Sequence, residues 1–260
     1  MLRAFSTAAT GMTAQQTMVD TIANNLANVN TTGFKRSQVD FKDLLYTQMT
    51  EPGAEVASGI KNPGGTEIGS GVRVASTPKI FTGGELENTG NKLDVAIQGA
   101  GLFEVTLPNG DLRYTRDGAF KINADGLLVT SGGHPISPSI TIPNDTESIE
   151  IGIDGTITTV NSTGTANAGQ LSLARFPNPS GLKSEGNNLL SESDASGTAL
   201  VGTAGTAGYG SLMPGFLEKS NVQMVTELVS LIKAQRAYEI NSRAIRAGDD
   251  MLRTANEIVR

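Results

Sequence analysis

Met224-Val225-Thr226-Glu227-Leu228-Val229-Ser230-Leu231-Ile232-Lys233-Ala234-Gln235-Arg236-Ala237-Tyr238-Glu239-Ile240-Asn241 is the heart of a C-terminal stretch, Ser220 to Arg260, on which the fold turns. Met224, Leu231, Tyr238, Ile245, Leu252 and Val259 fall in one column spaced by seven, and a companion column holds Ala234, Asn241, Gly248 and Ala255. A sustained seven-residue repeat predicts a helix that lays a narrow stripe on a partner helix, and small residues in one column let two backbones come close. Ser220 is the expected cap, with Gln223 reaching back to complete a capping box. At about 1.5 Å per residue such a helix is on the order of 60 Å long, so it is expected to reach out of its own domain. Val222, Val225, Leu228, Val229 and Ile232 spread apolar surface beyond one stripe around the first turns. A helix apolar on more than one side needs several neighbours. The chain offers one other long helix, so the remaining neighbours are expected from other copies; an ordinary core helix of a monomeric bundle is the alternative.

Residues 2 to about 29 repeat this design. Phe5, Met12, Val19 and Leu26 form one seven-spaced column, Leu2, Ala9, Gln16 and Ala23 the other, and Ala8, Ile22 and Val29 widen the stripe. The simplest closure pairs the two chain ends. Alone the pair is weak: small and amide-bearing columns bury little area at roughly 25 cal/mol per Å². Gly11 and Gly248 each cost a helix about 1 kcal/mol relative to Ala. The ends are therefore expected to be mobile in a monomer and ordered on assembly.

Between the ends the period changes. Residues 36–81 carry Pro52, Gly53, Gly59, Pro63, Gly64, Gly65, Gly69 and Gly71, which preclude a continuous helix. Phe41, Leu44, Leu45 and Tyr46 could extend or bend a helical stretch, while Val72 and Val74, then Ile80 and Phe81, alternate as strands do. A long hairpin or loop standing off the core is expected, with an unstructured linker over Glu51 to Gly65 as the alternative. From residue 82 to 217 apolar residues alternate, as in Leu93, Val95 and Ile97, or Phe103, Val105 and Leu107. The pairs Asn109-Gly110, Asp117-Gly118, Asp125-Gly126 and Asp154-Gly155 suit tight hairpin turns. The segment Ser191 to Gly210 reads as a surface loop or return path. The expected fold is α+β: long N- and C-terminal helices paired as a coiled-coil-like domain (1–35 with 218–260), an extended hairpin arm (36–81) and an antiparallel β domain (82–217) inserted between them.

Composition narrows function by exclusion. The 260 residues are 38% hydrophobic with 31 Gly and no Trp, thin apolar packing that suits strand-rich units with many turns. A net charge of -6 argues against nucleic acid, whose affinity comes from Lys and Arg on phosphates. Zero cysteines remove disulfides, thiolate metal sites and Cys nucleophiles together. No apolar run approaches the ~18 residues of a membrane span. The residues after Arg3 lack the apolar core of a secretory signal, so export is expected by another route. The one histidine, His134, lies in the turn Ser131-Gly132-Gly133-His134-Pro135 with no partner that spacing can supply. A solvated turn histidine is expected. Gly99-Ala100-Gly101 and Gly69-Ser70-Gly71 lack the rest of any nucleotide or phosphate motif and read as bends beside strands. No catalytic residue, metal or cofactor is expected.

The first helix ends in Ala23-Asn24-Asn25-Leu26-Ala27-Asn28-Val29-Asn30-Thr31-Thr32-Gly33-Phe34-Lys35-Arg36. Asn30, Thr31 and Gly33 suit a helix stop, with Gly33 left-handed. Asn24, Asn25 and Asn28 have no local explanation, because amides compete with helical hydrogen bonding. They are expected to satisfy buried groups across a subunit boundary, and a frayed polar helix end is the alternative. This run, together with Ala234-Gln235-Arg236-Ala237-Tyr238-Glu239-Ile240-Asn241-Ser242, resembles the terminal signatures of bacterial flagellar rod and hook proteins, and the likeness extends almost throughout the chain. The arm, with Glu51-Pro52-Gly53-Ala54 and Ile68-Gly69-Ser70-Gly71-Val72-Arg73, is similar to the distal rod members; hook members are longer and lack much of it. The resemblance implies a structural subunit that polymerises into a rigid tube transmitting torque to the hook. Implied partners are further copies of itself, hook protein, proximal rod proteins, the surrounding P-ring and L-ring proteins and the flagellar export apparatus. The implied place is the basal body, crossing the periplasm. Subunit contacts are expected at Asn24, Asn25, Leu26, Asn28, Gly33 and Phe34, and at Leu231, Gln235, Tyr238, Asn241 and Ile245. A proximal rod or hook subunit, or a secreted hydrolase or polysaccharide-binding β protein, are the other readings.

Overall fold

A computed structural model describes residues 2–53, 55–57, 60–61, 63–162 and 164–258. Helix α1 spans Leu2–Ala27 and helix α2 spans Met224–Ile258, with antiparallel strands between them. The chain divides into two compact units and passes between them four times. A helical unit holds α1 up to Leu26, the segment Ser37–Pro78 and α2; a β unit holds Ala27–Arg36 and Lys79–Gln223.

In the helical unit α2 begins at Met224, later than a Ser220 cap requires. Ser220 is buried, and its hydroxyl accepts from the Val222 N–H at 3.3 Å in a short turn. The delay has a cause in the β unit. Lys219 N–H donates to the Glu85 carbonyl at 2.8 Å, and the Asn221 side chain takes the Arg36 N–H and gives to the Ile80 carbonyl, which holds residues 219–221 out of helical geometry.

The column of α2 that turns inward is the one of small residues. Glu227, Ala234 and Gly248 are buried and Asn241 is half-buried, while Met224 and Tyr238 of the large column stay exposed. On α1 the expected column Ala9, Gln16 and Ala23 points outward, and Ala14, Ile22 and Asn25 are the buried residues. A straight helix drifts about 20° per heptad against a strict seven-residue repeat, so over 26 residues one column leaves the inner face. A Cβ on Gly248 would meet the Phe5 ring at 2.8 Å, one on Gly11 the Asn241 amide at 2.9 Å, and the Asn25 amide lies 3.5 Å from Glu227 Oε2. These meetings run in opposite order along the two helices.

The segment between the helices forms nested antiparallel ladders: Asp40–Asp43 with Val72–Ser76, Tyr46–Thr50 with Thr66–Gly69, and Glu55–Ala57 with Ile60–Lys61. Phe41 to Asp43 and Tyr46 are thus strand residues and not a helical extension, because Phe41 finds a cross-strand partner in Val74 and Tyr46 in Gly69. Gly71, at φ 110°, lets the chain approach α1 so closely that a Cβ there would strike Thr10, whose hydroxyl accepts from Val72 N–H at 3.4 Å. Residues 54, 58, 59 and 62 of the Glu51–Gly65 stretch lie outside the described residues.

The β unit is built on a six-stranded antiparallel sheet. Its spatial order is Lys183–Gly186, Leu189–Ser191, Leu112–Thr115, Leu102–Thr106, Ser172–Arg175 and Leu200–Thr203. Alternate residues of the central strands enter two cores. Phe103 and Leu173 join Ile97, Phe120, Leu128, Ile136, Ile140, Ile157 and Leu212; Leu102 and Ala174 join Tyr114, Phe176, Leu182 and Leu190. Each core has an edge-on aromatic pair, Phe103 with Phe120 at 4.9 Å and Tyr114 with Phe176 at 4.7 Å. Gly110, Gly126 and Gly155 turn the hairpins with positive φ as expected of their Asn-Gly and Asp-Gly pairs. Asp117-Gly118 does not turn a hairpin: Gly118 accepts from Val95 N–H at 3.0 Å, and a Cβ there would strike the Val95 carbonyl. Ser191 to Gly210 is more than a loop, since Leu200–Thr203 forms the sheet edge and Gly202 leaves room for the Tyr209 ring across it.

Candidate functional site

Two polar clusters, one in each unit, fix the geometry around the residues expected to matter. In the helical unit Asn25, buried in the last turn of α1, meets the backbone of Ser37 with both ends of its amide. Nδ2 donates to the Ser37 carbonyl at 2.8 Å, and Oδ1 accepts from the Ser37 N–H at 2.9 Å. This is the pairing a neighbouring strand would offer, and it brings the start of the ladder segment onto the helix. The amide is therefore taken up within the chain. Glu227 of α2, itself buried, stands against the same side chain. Asn28 belongs to the β unit and accepts from the Thr31 hydroxyl at 3.2 Å in the turn that ends the helix. Asn24 is exposed and Leu26 half-buried. On α2, Leu231, Asn241 and Ile245 are half-buried, and Gln235 and Tyr238 face outward.

Gly33 and Phe34 sit in the β unit. Gly33, at φ 67°, donates from its N–H to the Glu218 carbonyl at 2.8 Å, and a Cβ on it would meet the Arg116–Asp117 peptide at 2.6 Å. Only glycine suits a left-handed position so close to another backbone. The Lys79 amine lies over the Phe34 ring, 4.9 Å from its centre, and burial lowers that amine's pKa.

Beside Gly33 lies a buried ion cluster. Glu218 is 3% exposed, and its Oε1 accepts from Lys35 Nζ at 2.6 Å and from the Gly84 N–H at 2.8 Å, while Oε2 accepts from Arg116 Nε. Lys35 also donates to the Thr82 carbonyl at 2.7 Å. Arg116 caps three further carbonyls, those of Gly101, Ile97 and Gly99. Burial pushes the Glu218 carboxyl up, but the charge of Arg116, the Lys35 hydrogen bond and the Gly84 N–H outweigh it and hold it below its usual value. Burial pulls the Lys35 amine down more than Glu218 restores it, and Arg116 adds to the lowering. The cluster joins the segment leaving α1, the segment at Thr82 that leads to the strand Leu86–Asn88, and the strand Phe216–Glu218. Thr32 adds a hydroxyl donated to Asp117 at 2.8 Å and a carbonyl accepting from the Asn188 amide at 3.2 Å.

Lys35, Arg116 and Glu218 are not among the site residues the sequence singles out. Lys35 and Glu218 lie 183 positions apart, and no local period relates them. The available signal was a carboxylate set in an otherwise apolar strand, Phe216-Leu217-Glu218. His134 is half-buried, and its turn is closed by Thr130 N–H donating to the His134 carbonyl at 2.8 Å. Among the described residues no three of His, Cys, Asp or Glu are grouped to hold a metal, and no helix is long and apolar enough to cross a membrane.

Comparison with known proteins agrees with this terminal design. Residues 5–35 match the family "Flagella basal body rod protein", residues 96–159 the "Flagellar hook protein FlgE/F/G D1 domain", and residues 213–258 the "Flagellar basal body rod FlgEFG protein C-terminal". The chain is 45% identical to the flagellar basal-body rod protein FlgG of Borreliella burgdorferi, covering 100% of both chains. It is 46% identical to FlgG of Agrobacterium fabrum over 96% of this chain and 97% of that one, and 41% identical to FlgG of Caulobacter vibrioides over 99% of each. With that identity over nearly its whole length, the chain belongs to the FlgG family of flagellar basal-body rod proteins.

Proposed function

We propose that this chain is a structural subunit of the flagellar distal rod, polymerising into a straight helical tube that transmits motor torque to the hook. Its work is mechanical: the FlgG relatives are rod proteins. In this reading residues 1–35 and 218–260 form a coiled-coil-like domain that packs with its copies as the inner tube. The β domain, 82–217, clads it, and the hairpin arm, 36–81, braces neighbouring subunits. Copies joined head to tail without closure give a filament and not a ring. The observation that carries the reading is the first turns of α2, where Val225 is 75% exposed and Leu228, Val229 and Ile232 are also exposed. Apolar surface gathered on about two helical turns calls for a partner.

Asn24, Leu26, Asn28, Leu231, Gln235, Tyr238, Asn241 and Ile245 are the proposed subunit contacts of the helices, with Asn25, Gly33 and Phe34 shaping the stem between them. Partners along the axis are hook protein on one side and proximal rod proteins on the other, with P-ring and L-ring proteins around. Delivery is by the flagellar export apparatus to the basal body, where the rod crosses the periplasm. Tyr238→Asp tests the reading. The purified chain should keep a folded β unit by circular dichroism, form no filaments by electron microscopy and fail to restore motility to a deletion strain. Motile cells carrying that change would overturn it.

A further inference from the structure

We infer that the cavity beside Lys35 and Arg116 in the β unit is an oxyanion-binding site, taking a carboxylate or a sulfate-like group. The inference stands apart from the assembly reading, since every residue in it lies within the β unit.

Counting donors leads there. A guanidinium offers five N–H groups and an ammonium three. Arg116 spends one on Glu218 and one each on the carbonyls of Gly101, Ile97 and Gly99, which leaves one N–H. Lys35 spends one on Glu218 and one on Thr82, which also leaves one. Both side chains are more than nine-tenths buried, at 3% and 8% exposure, so water has restricted access to the leftover donors. Both line one cavity of about 130 Å³, with Phe81, Leu102 and Phe176 as apolar walls and Arg175 at its side. That volume has room for a carboxylate or sulfate group.

The charges point the same way. Among the described residues Glu218 is the carboxylate paired with Lys35 and Arg116, so the pair carries one positive charge more than it neutralises, and Arg175 stands at the exposed side of the cavity. Unpaired charge in a low-dielectric site is costly, and a bound anion with acceptor oxygens removes the cost and takes both spare N–H groups. Burial is the main cause of the lowered pKa of Lys35, and the Arg116 charge adds a smaller part in the same direction.

Free inorganic anions and an Asp or Glu side chain of a second copy share this chemistry. The probe is sodium sulfate, and then sodium acetate, titrated at constant ionic strength into the dilute ¹⁵N-labelled full chain while the amide signals of Gly99, Gly101 and Arg116 are followed. Saturable shifts confined to these amides are expected, weakened several-fold in Arg175→Gln, at an exposed position, with the remaining amide signals of that variant checked for an unchanged fold. Shifts that track ionic strength alone, or that are unchanged in Arg175→Gln, would overturn the site and identify an adventitious ion only. Repeating the sulfate measurement on assembled filaments separates the sources. Retained binding assigns the site to a free ion; displacement assigns it to a carboxylate of the neighbouring copy.

Discussion

The β unit gathers most of its large apolar side chains into two cores, with Ile153, Leu200 and Val201 left half exposed or more, whereas the helical unit leaves Val225, Ile232, Ile240, Met251, Leu45, Tyr46 and Met49 at least half exposed. A buried polar group is satisfied in each unit. Glu218 in the β unit is enclosed by two cations and an N–H, and Asn25 in the helical unit spends its amide on the backbone of Ser37. The β unit closes around two apolar cores; the helical unit makes specific contacts inside but keeps apolar surface outside. Hydrophobic burial is the main favourable term in both folding and association. The proposed assembly uses this division, with the β part as a folded body and the helical part meeting other copies.

The largest effect expected is on assembly. Val225→Asp with Leu228→Asp places two charges where α2 is exposed and apolar. In the monomer both carboxylates remain in water and cost little. In a filament that buries this surface each would be an unpaired buried charge. Sedimentation should show filaments abolished, while thermal unfolding of the β unit stays where it was. Filaments of normal length would show that the contrast between the units says nothing about assembly.

The next effect is on the β unit alone. Glu218→Gln leaves Lys35 and Arg116 buried without their carboxylate, and breaking a buried pair in this way costs about 3–5 kcal/mol. Against a typical domain stability of about 5–15 kcal/mol this is a large loss, visible as a lower denaturant midpoint. The pH dependence has a definite sign. Because Glu218 is held below its usual pKa, its contribution is complete above the unfolded value of about 4.3 and is lost as pH falls through the lower folded value. The wild type should therefore lose β-unit stability in acid more steeply than Glu218→Gln does. Equal slopes would remove Glu218 from the account.

Much of this contrast can be read from the residues in order, and the failures have physical causes. The hairpins at Asn109-Gly110, Asp125-Gly126 and Asp154-Gly155 are local events, decided by positive φ at one glycine, and they are visible in the sequence. The excess apolar surface of α2 was also legible. Which heptad column turns inward was not: the repeat fixes the spacing of a stripe, and close approach at Gly11 and Gly248 is what selects the small column. Phe41 to Tyr46 could have continued a helix until Val74 and Gly69 supplied strand partners. The cluster of Lys35, Arg116 and Glu218 was illegible because its members meet only after the sheet has closed. For Asn25 the sequence suggests a partner across a subunit boundary, whereas its amide pairs with Ser37, twelve residues away in the same chain, because of where the chain turns after Gly33.

A smaller change at Asn25 tests whether the two units are separate in energy. Asn25→Asp keeps the oxygen that accepts from Ser37 N–H and loses the donor to the Ser37 carbonyl. It also places a second carboxylate close to Glu227, 3.5 Å from the present amide nitrogen. An unmade buried hydrogen bond costs about 1–3 kcal/mol, more where charge is involved. Hydrogen exchange at Ser37 and in the last turn of α1 should quicken about tenfold or more, with the β-unit unfolding transition unmoved. Asn25→Ala, which adds no charge, should quicken exchange less. If Asn25→Asp instead lowered the β-unit transition as Glu218→Gln does, the two clusters would be parts of one cooperative structure, and the division of labour between the units would have to be abandoned.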